Sequence, residues 1–264
     1  MILLSKIRGS LHTVKSVFHL AGRQARGFVE SIFELMGVEL PVPDHSTVSR
    51  RMSNLEVALP LVDRPQARHV VIDSTGIKVY GEGEWNVRTH GVGKRRTWIK
   101  LHLAVDETTG EILAAFVSTK DWTDPEVLPD LLEQIDGEIE QVSADGAYDT
   151  SDCYDAVTER EAKPVMPPRK NAVIWQHGNC NAPPHPRDEN LRYIRKHGRK
   201  KWKRESHYHR RSLSETAMFR HKTIFGGKVR SRQFENQTTE LLCQCAILNR
   251  MIHLGKPVSV PVAA

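Results

Sequence analysis

Apolar residues recur with helical spacing in the first part of the chain. Phe28, Ile32 and Leu35 are three or four positions apart, which predicts a helix over 11–36 with a possible break at Gly22. Glycine and prolines after residue 36 end this helix. The first part of the chain is therefore predicted to be helical.

A short second helix is predicted from Thr47 to Asn54, with Asp44 or Ser46 as its N-cap. It carries Arg50 and Arg51. Two interpretations are open for this pair of helices. It could be a helix-turn-helix that places the two arginines against DNA, or an ordinary helical pair packed on a larger domain.

In the middle of the chain the pattern changes to short apolar runs and alternation with a period of two, which are typical of strands. We predict a strand at 70–72 within the block 69–80, further strands at 97–105, 111–119, 140–144 and 164–166, and helices at 125–134 and 151–161. The order is three strands, helix, strand, helix, strand. It predicts a mixed α/β sheet with flanking helices.

The last part returns to helical patterns. Residues 167–206 are rich in proline and cations, and we predict an irregular insertion there. A helix is then predicted from His207 to about Phe225, followed by Gly226-Gly227. A final helix is predicted from about Phe234 to Leu254.

Composition allows one large domain, or a large one with a small one. The chain has 264 residues, 39% of them apolar, and a formal net charge of +6. The cations crowd into residues 187–211, which favours a polyanionic partner. The candidate DNA-contacting side chains in this segment are Lys200, Lys201, Lys203 and Arg204.

The cysteines and the apolar runs indicate a cellular compartment. Four cysteines in a chain of this length do not suggest a disulfide framework, so we expect a reduced, cytoplasmic protein. No apolar run is long enough for a membrane span. We expect no membrane partner.

Chemistry-bearing residues follow two of the predicted strands and line one predicted helix. Asp73 comes directly after a β-branched run, and Asp145 follows another strand. Tyr208, Arg211, Glu215 and Lys222 are spaced by three, four and seven residues, which return to one helical face. Three carboxylates from separate elements, one of them flanked by cations, suit two Mg²⁺ (or Mn²⁺) ions and phosphodiester chemistry.

Each of these residues also has an ordinary structural interpretation. An aspartate after a strand is often a turn former, and Arg211 with Glu215 could be a surface ion pair. Tyr208 and Phe219 could belong to the core. Asp149 could support Asp145 from nearby, and Asp106 fits a turn. Only the joint pattern favours a site.

With these residues, the sequence resembles a known group, the DDE-class bacterial insertion-sequence transposases. It is most similar to insertion sequence family five and its Y-R-E-K subgroup. The matching blocks are 71–76, 144–149 and Tyr208 through Lys222. The resemblance covers residues from about 14 to 256. Met1–Ser10 do not match the region that family members carry before the helices, so we expect an N-terminally short chain.

The resemblance implies a ribonuclease-H-like catalytic domain at 61–256, a helical DNA-binding region at 1–60 and a tail at 257–264. It implies that Asp73, Asp145 and Glu215 bind the metal ions. Tyr208, Arg211 and Lys222 would contact the terminal DNA of the element.

The implied activity is cleavage and joining of double-stranded DNA at element ends and target, by a homodimer. Two alternatives are a metal-dependent nuclease without strand transfer and a truncated DNA-binding regulator of transposition.

Overall fold

The structure is a computed structural model that describes residues 11–79, 98–176 and 183–255. The described residues form two compact units. The first contains 11–60, 77–79 and 220–255, and the second contains 61–76, 98–176 and 183–219. The predicted division of the chain at residue 60 stays a prediction, and its tail at 257–264 lies outside the described residues.

A mixed sheet forms the centre of the second unit. Its strands are β1 (Arg68–Val79), β2 (Trp98–Asp106), β3 (Ile112–Thr119), β4 (Ile139–Ser143) and β5 (Lys163–Val165). They lie in the order β3-β2-β1-β4-β5. Strands β2 and β3 are antiparallel, whereas β1 pairs with β4, and β4 with β5, in parallel. The predicted mixed α/β sheet with flanking helices is confirmed, and it is consistent with a ribonuclease-H-like fold.

The core of this unit explains why β1 is a continuous apolar run. Val70, Val71 and Ile72 are fully buried, as expected for a strand covered on both faces. Two helices supply much of the cover, α3 (Asp124–Glu133) and α4 (Ser151–Glu159). Their buried apolar side chains join those of the sheet in one cluster.

The prediction that residues 167–206 are irregular is wrong for the second half of this segment. Residues Pro186–His197 form helix α5, and Arg199–Glu205 form helix α6. Helix α5 has proline in its first turn, acidic residues after it and basic residues in its last turn, all of which favour a helix. The predicted cations Lys200, Lys201, Lys203 and Arg204 therefore lie on helix α6.

The predicted helix from His207 to Phe225 begins later. His207 has a left-handed backbone with φ of 55°, so it cannot continue a helix. A 3-10 turn follows at Tyr208–Arg211, and helix α7 runs over Ser212–Phe225. Ser206 is the C-cap of α6.

The first unit is mostly helical. Residues 11–17 are helical and are followed by α1 (Gly22–Leu35), α2 (His45–Arg50) and α8 (Phe234–Leu254). The short strand β6 (Lys228–Val229) pairs in parallel with Lys78–Val79 at the end of β1, as the sixth strand of the sheet.

Packing in this unit differs in part from the sequence pattern. Ala25 and Val29 are the buried side chains of α1, whereas Phe28 and Leu35 are exposed. The predicted break at Gly22 and the N-cap at Asp44 are confirmed, since Asp44 Oδ1 accepts a hydrogen bond from the Ser46 amide at 2.8 Å. The helix-turn-helix interpretation stays a prediction. Within the described ranges, no helix has the length and apolar character needed to cross a membrane.

Candidate active site

Two predicted carboxylates lie on neighbouring parts of the sheet. Val71 of β1 pairs with Ser143 of β4 in parallel register. Counting two residues further along each chain reaches Asp73 and Asp145, so the parallel register places the two residues side by side. Asp73 lies within β1 and not after it, because the strand continues to Val79, whereas Asp145 lies just beyond the end of β4. Asp145 starts a 3-10 turn at Gly146–Tyr148, and its Oδ1 accepts a hydrogen bond from the Ala147 amide at 2.8 Å.

Arg211 links the third carboxylate to the first. Its Nη1 lies 2.9 Å from Asp73 Oδ2, and its Nη2 donates to Glu215 Oε1. Ser214, fully buried on α7, has its hydroxyl 3.5 Å from Asp73 Oδ2. Asp73, Asp145 and Glu215 therefore come from β1, the end of β4 and α7, and one guanidinium joins two of them.

Asp73 carries an unfavourable negative charge. Burial raises the pKa of its carboxyl, and the neighbouring charge of Asp145 raises it further. The Ser74 amide, at 2.9 Å from Oδ1, and the Arg211 guanidinium lower this pKa but do not cancel the increase. A site of this kind favours a cation beside the two aspartates.

Tyr208 lies beside the same charges. Burial raises the pKa of its phenol, and the carboxylates of Asp145 and Asp73 raise it too, whereas Arg211 lowers it. Its ring is 5.6 Å from that of Trp202, and Lys203 Nζ lies 5.2 Å from the ring centroid. Tyr208 and Glu215 therefore both lie near Arg211, although the predicted single helix is wrong here, because Tyr208 and Arg211 lie on a 3-10 turn and only Glu215 lies on α7.

The donor set fits a hard divalent cation in part. Asp73 and Asp145 are neighbouring carboxylates, and oxygen is the ligand that Mg²⁺ prefers. Glu215 is directed to Arg211 instead. Among the residues that the structure describes, no three His, Cys, Asp or Glu side chains are grouped closely enough to hold a metal ion. Asp73 and Asp145 thus lie near each other, whereas the carboxylate of Glu215 is paired with a guanidinium.

The other predicted contacts lie on helices. Arg50 and Arg51 are exposed at the end of α2, and the four cations of α6 are exposed as well. Lys222 lies on the part of α7 that belongs to the first unit. Their proposed roles stay predictions. Phe219 is exposed, so its alternative interpretation as a core residue is wrong.

Ser214 was not identified from the sequence, whereas Asp149 and Asp106 were both considered there. The only sequence signal that Ser214 belongs to the site is its position beside Glu215. Asp149 is buried, but its carboxylate binds Arg187 and not Asp145. Asp106 is confirmed as a turn residue, since its Oδ1 accepts from the amides of Thr108 and Thr109 at 2.7 and 3.0 Å.

Comparison with known proteins supplies independent evidence. Residues 64–250 match a family model described as Transposase DDE domain. Residues 7–82 match a second model with the same description. No solved structure matches the chain. The first match covers more than half of the sequence and includes β1, the turn after β4 and α7.

Proposed function

Because the chain belongs to the family of DDE transposases, which cleave DNA and transfer its strands, we propose that it cuts and joins the ends of an insertion sequence. The reaction would be a metal-dependent phosphoryl transfer. We assign the chain to insertion sequence family five, Y-R-E-K subgroup, on the spacing of Tyr208, Arg211, Glu215 and Lys222. We also propose that it acts as a homodimer on its DNA, in the bacterial cytoplasm.

One observation carries this proposal. Arg211 holds Asp73 and Glu215 together while the strand register brings Asp145 beside Asp73. We propose that Asp73, Asp145 and Glu215 hold two Mg²⁺ or Mn²⁺ ions. Such ions, when bound, activate the attacking oxygen and stabilise the leaving oxygen of an in-line displacement.

Arg211 would have two partners in turn. Without DNA, its guanidinium neutralises the carboxylates of Asp73 and Glu215. A DNA phosphate offers two oxygen acceptors that the planar fork of arginine can bind together, as it binds a carboxylate. We propose that the terminal phosphate of the element draws Arg211 away and so frees Glu215 as a ligand. DNA binding would thereby complete the metal site.

The remaining cations would hold the DNA backbone. We assign this role to Arg50, Arg51, Lys200, Lys201, Lys203 and Arg204, and contact with the element's terminal DNA to Tyr208 and Lys222. Their side chains are solvent-accessible in the structure, as phosphate contacts must be.

The test is a cleavage and joining assay on a labelled duplex that carries the element end, taken from inverted repeats flanking the gene. Asp73→Ala, Asp145→Ala and Glu215→Ala should each lose both reactions by at least about 10³-fold, because metal-ligand interactions are worth several kcal/mol. Glu133→Ala, an exposed carboxylate on α3, is the matched control and should stay active.

The outcomes separate the candidates. A variant that keeps both reactions removes its residue from the metal site. Cleavage without joining by the unmodified protein would indicate a nuclease instead of a transposase.

A further inference from the structure

A buried ion pair lies at the end of the short turn that begins at Asp145. Arg187 Nε lies 2.7 Å from Asp149 Oδ1, and Arg187 Nη2 lies 3.3 Å from Asp149 Oδ2. The Arg169 amide donates to the same Oδ2 at 3.1 Å. Both side chains of the pair are buried. Because both carboxylate oxygens of Asp149 are occupied within the protein, this residue is not itself a candidate metal ligand.

Arg187 is fixed from several directions. Its Nη1 donates to the Val173 carbonyl at 2.8 Å, and its guanidinium lies 3.7 Å from the ring centroid of Trp175. The adjacent Asp188 is fully buried and accepts hydrogen bonds from the amides of Trp175 and Gln176. The guanidinium at the start of α5 is thereby held on the turn.

The turn between Asp145 and Asp149 is short and tightly packed. A Cβ added at Gly146 would lie 3.3 Å from the Pro167 carbonyl, so the chain passes closely there. Tyr148 is buried. Asp145 caps the start of the turn and Asp149 follows its last residue. A displacement of Asp149 would therefore be transmitted along a few packed residues to the Asp145 carboxylate.

Stability alone is a weak reason for this pair. Replacement of a buried ion pair by apolar residues of similar volume is often neutral or stabilising, because the two charges lose their hydration. Specific geometry is a better reason, since the fork of arginine matches a carboxylate in one orientation only.

We propose that Arg187 and Asp149 are positioning residues for Asp145, which hold its carboxylate where a divalent ion is bound. This inference rests on the proposed role of Asp145 as a metal ligand. It also gives α5 a function, because the helix that leads into the basic α6 fixes the metal-binding turn.

The test measures Mn²⁺ binding to the full chain mixed with the element-end duplex, by loss of the electron paramagnetic resonance signal of the free ion. Arg187→Lys keeps the charge but loses the fork, and Asp149→Asn keeps the shape but loses the charge. Each should weaken Mn²⁺ binding by roughly 10- to 100-fold, the usual effect of altering residues that orient metal ligands.

Arg68→Lys is the matched control. Arg68 forms a pair with buried Asp106 at 3.3 Å and lies opposite Ile139, at the other end of β4 from Asp145. The Arg68→Lys substitution should lower the melting temperature without changing Mn²⁺ binding. Equal weakening in Arg68→Lys and Arg187→Lys would overturn the proposal, because the effect would then be global. Weakening in Asp149→Asn with normal binding in Arg187→Lys would also overturn it, because Asp149 would then act directly.

Asp145→Ala separates this inference from the proposed function. If Asp145→Ala binds Mn²⁺ like the unmodified protein, the assignment of Asp145 as a ligand fails. If it loses binding while Arg187→Lys and Asp149→Asn bind normally, only the positioning role fails.

Discussion

At the scale of single residues, the candidate site contains a carboxylate whose negative charge the fold disfavours. Asp73 is largely buried, and its negative charge lies beside that of Asp145. One guanidinium offsets part of this cost. Such a residue is expected where a cation is to be bound, because the unfavourable charge is relieved only when the cation is present.

Asp73→Asn should therefore stabilise the metal-free protein at neutral pH. The pKa of Asp73 is raised in the folded state, so the folded protein binds its proton more tightly than the unfolded chain does. Stability is then lost as pH rises through the range between the ordinary and the raised pKa. We expect a gain of about 1 kcal/mol above that range, typical of stabilising changes at functional sites.

The measurement is thermal unfolding in a chelator from pH 3 to 8. Asp44→Asn is the control of opposite sign. Hydrogen bonds from Ser46 lower the pKa of the Asp44 carboxyl, so its substitution should lower the melting temperature at neutral pH. An Asp73→Asn protein that is less stable than the unmodified one at pH 7 would show that Arg211 outweighs burial.

At the scale of elements, Gly198 separates α5 from α6. Its backbone has φ of 85° and ψ of 149°, a conformation that is essentially restricted to glycine. Gly198→Ala should cost about 1–3 kcal/mol of folding free energy and weaken DNA binding, because the cations of α6 would be displaced. Chemical unfolding and DNA titration measure the two effects.

Gly27→Ala is the matched control for this substitution. Gly27 lies within α1, with no neighbouring atom within 4 Å of an added Cβ. Alanine should stabilise a helix there by about 1 kcal/mol. A Gly198→Ala protein as stable as the unmodified one would mean that the link between α5 and α6 can adopt a different backbone.

The elements that sequence predicted are those with a strong apolar pattern. The first half of β1 is predictable because Val70, Val71 and Ile72 are all apolar and buried, whereas its continuation beyond Asp73 has no such run. Helices α5 and α6 were missed because their cations conceal a small apolar face, in which Leu191 and Trp202 are the buried apolar side chains. The helical signals at Pro186 and in the charged first and last turns were present.

The contacts of the site were less predictable than its residues. Arg211 with Glu215 follows from helical spacing. The link from Arg211 to Asp73 depends on how the end of α6 turns at His207, whose left-handed backbone has no clear signal in the sequence. The pairing of Asp149 with Arg187 depends on the same tertiary packing, so only the coordinates could place it.

At the scale of the whole molecule, each compact unit encloses neutral histidine. Burial is the main cause that lowers the pKa of His12 and His221 in the first unit to about 4, and it does the same to His102 in the second. In an unfolded chain a histidine has a pKa near 6.5. The lowered pKa values of these three histidines make the folded protein less stable at acidic pH. The raised pKa of Asp73 has the opposite effect on stability, but it is one group against three.

The protein should therefore lose stability as pH falls from about 6.5 towards 4. Across this range the histidines bind protons in the unfolded chain but stay neutral in the folded protein. Each of them therefore makes unfolding more favourable by about 1.4 kcal/mol for each unit by which its pKa is lowered. Urea unfolding at pH 8, 6.5 and 5 measures the loss. His12→Gln, which removes one such group, should flatten the profile. Equal stability of the unmodified protein at pH 8 and pH 5 would contradict the burial of neutral histidine, because a group that titrates alike in both states contributes no pH dependence.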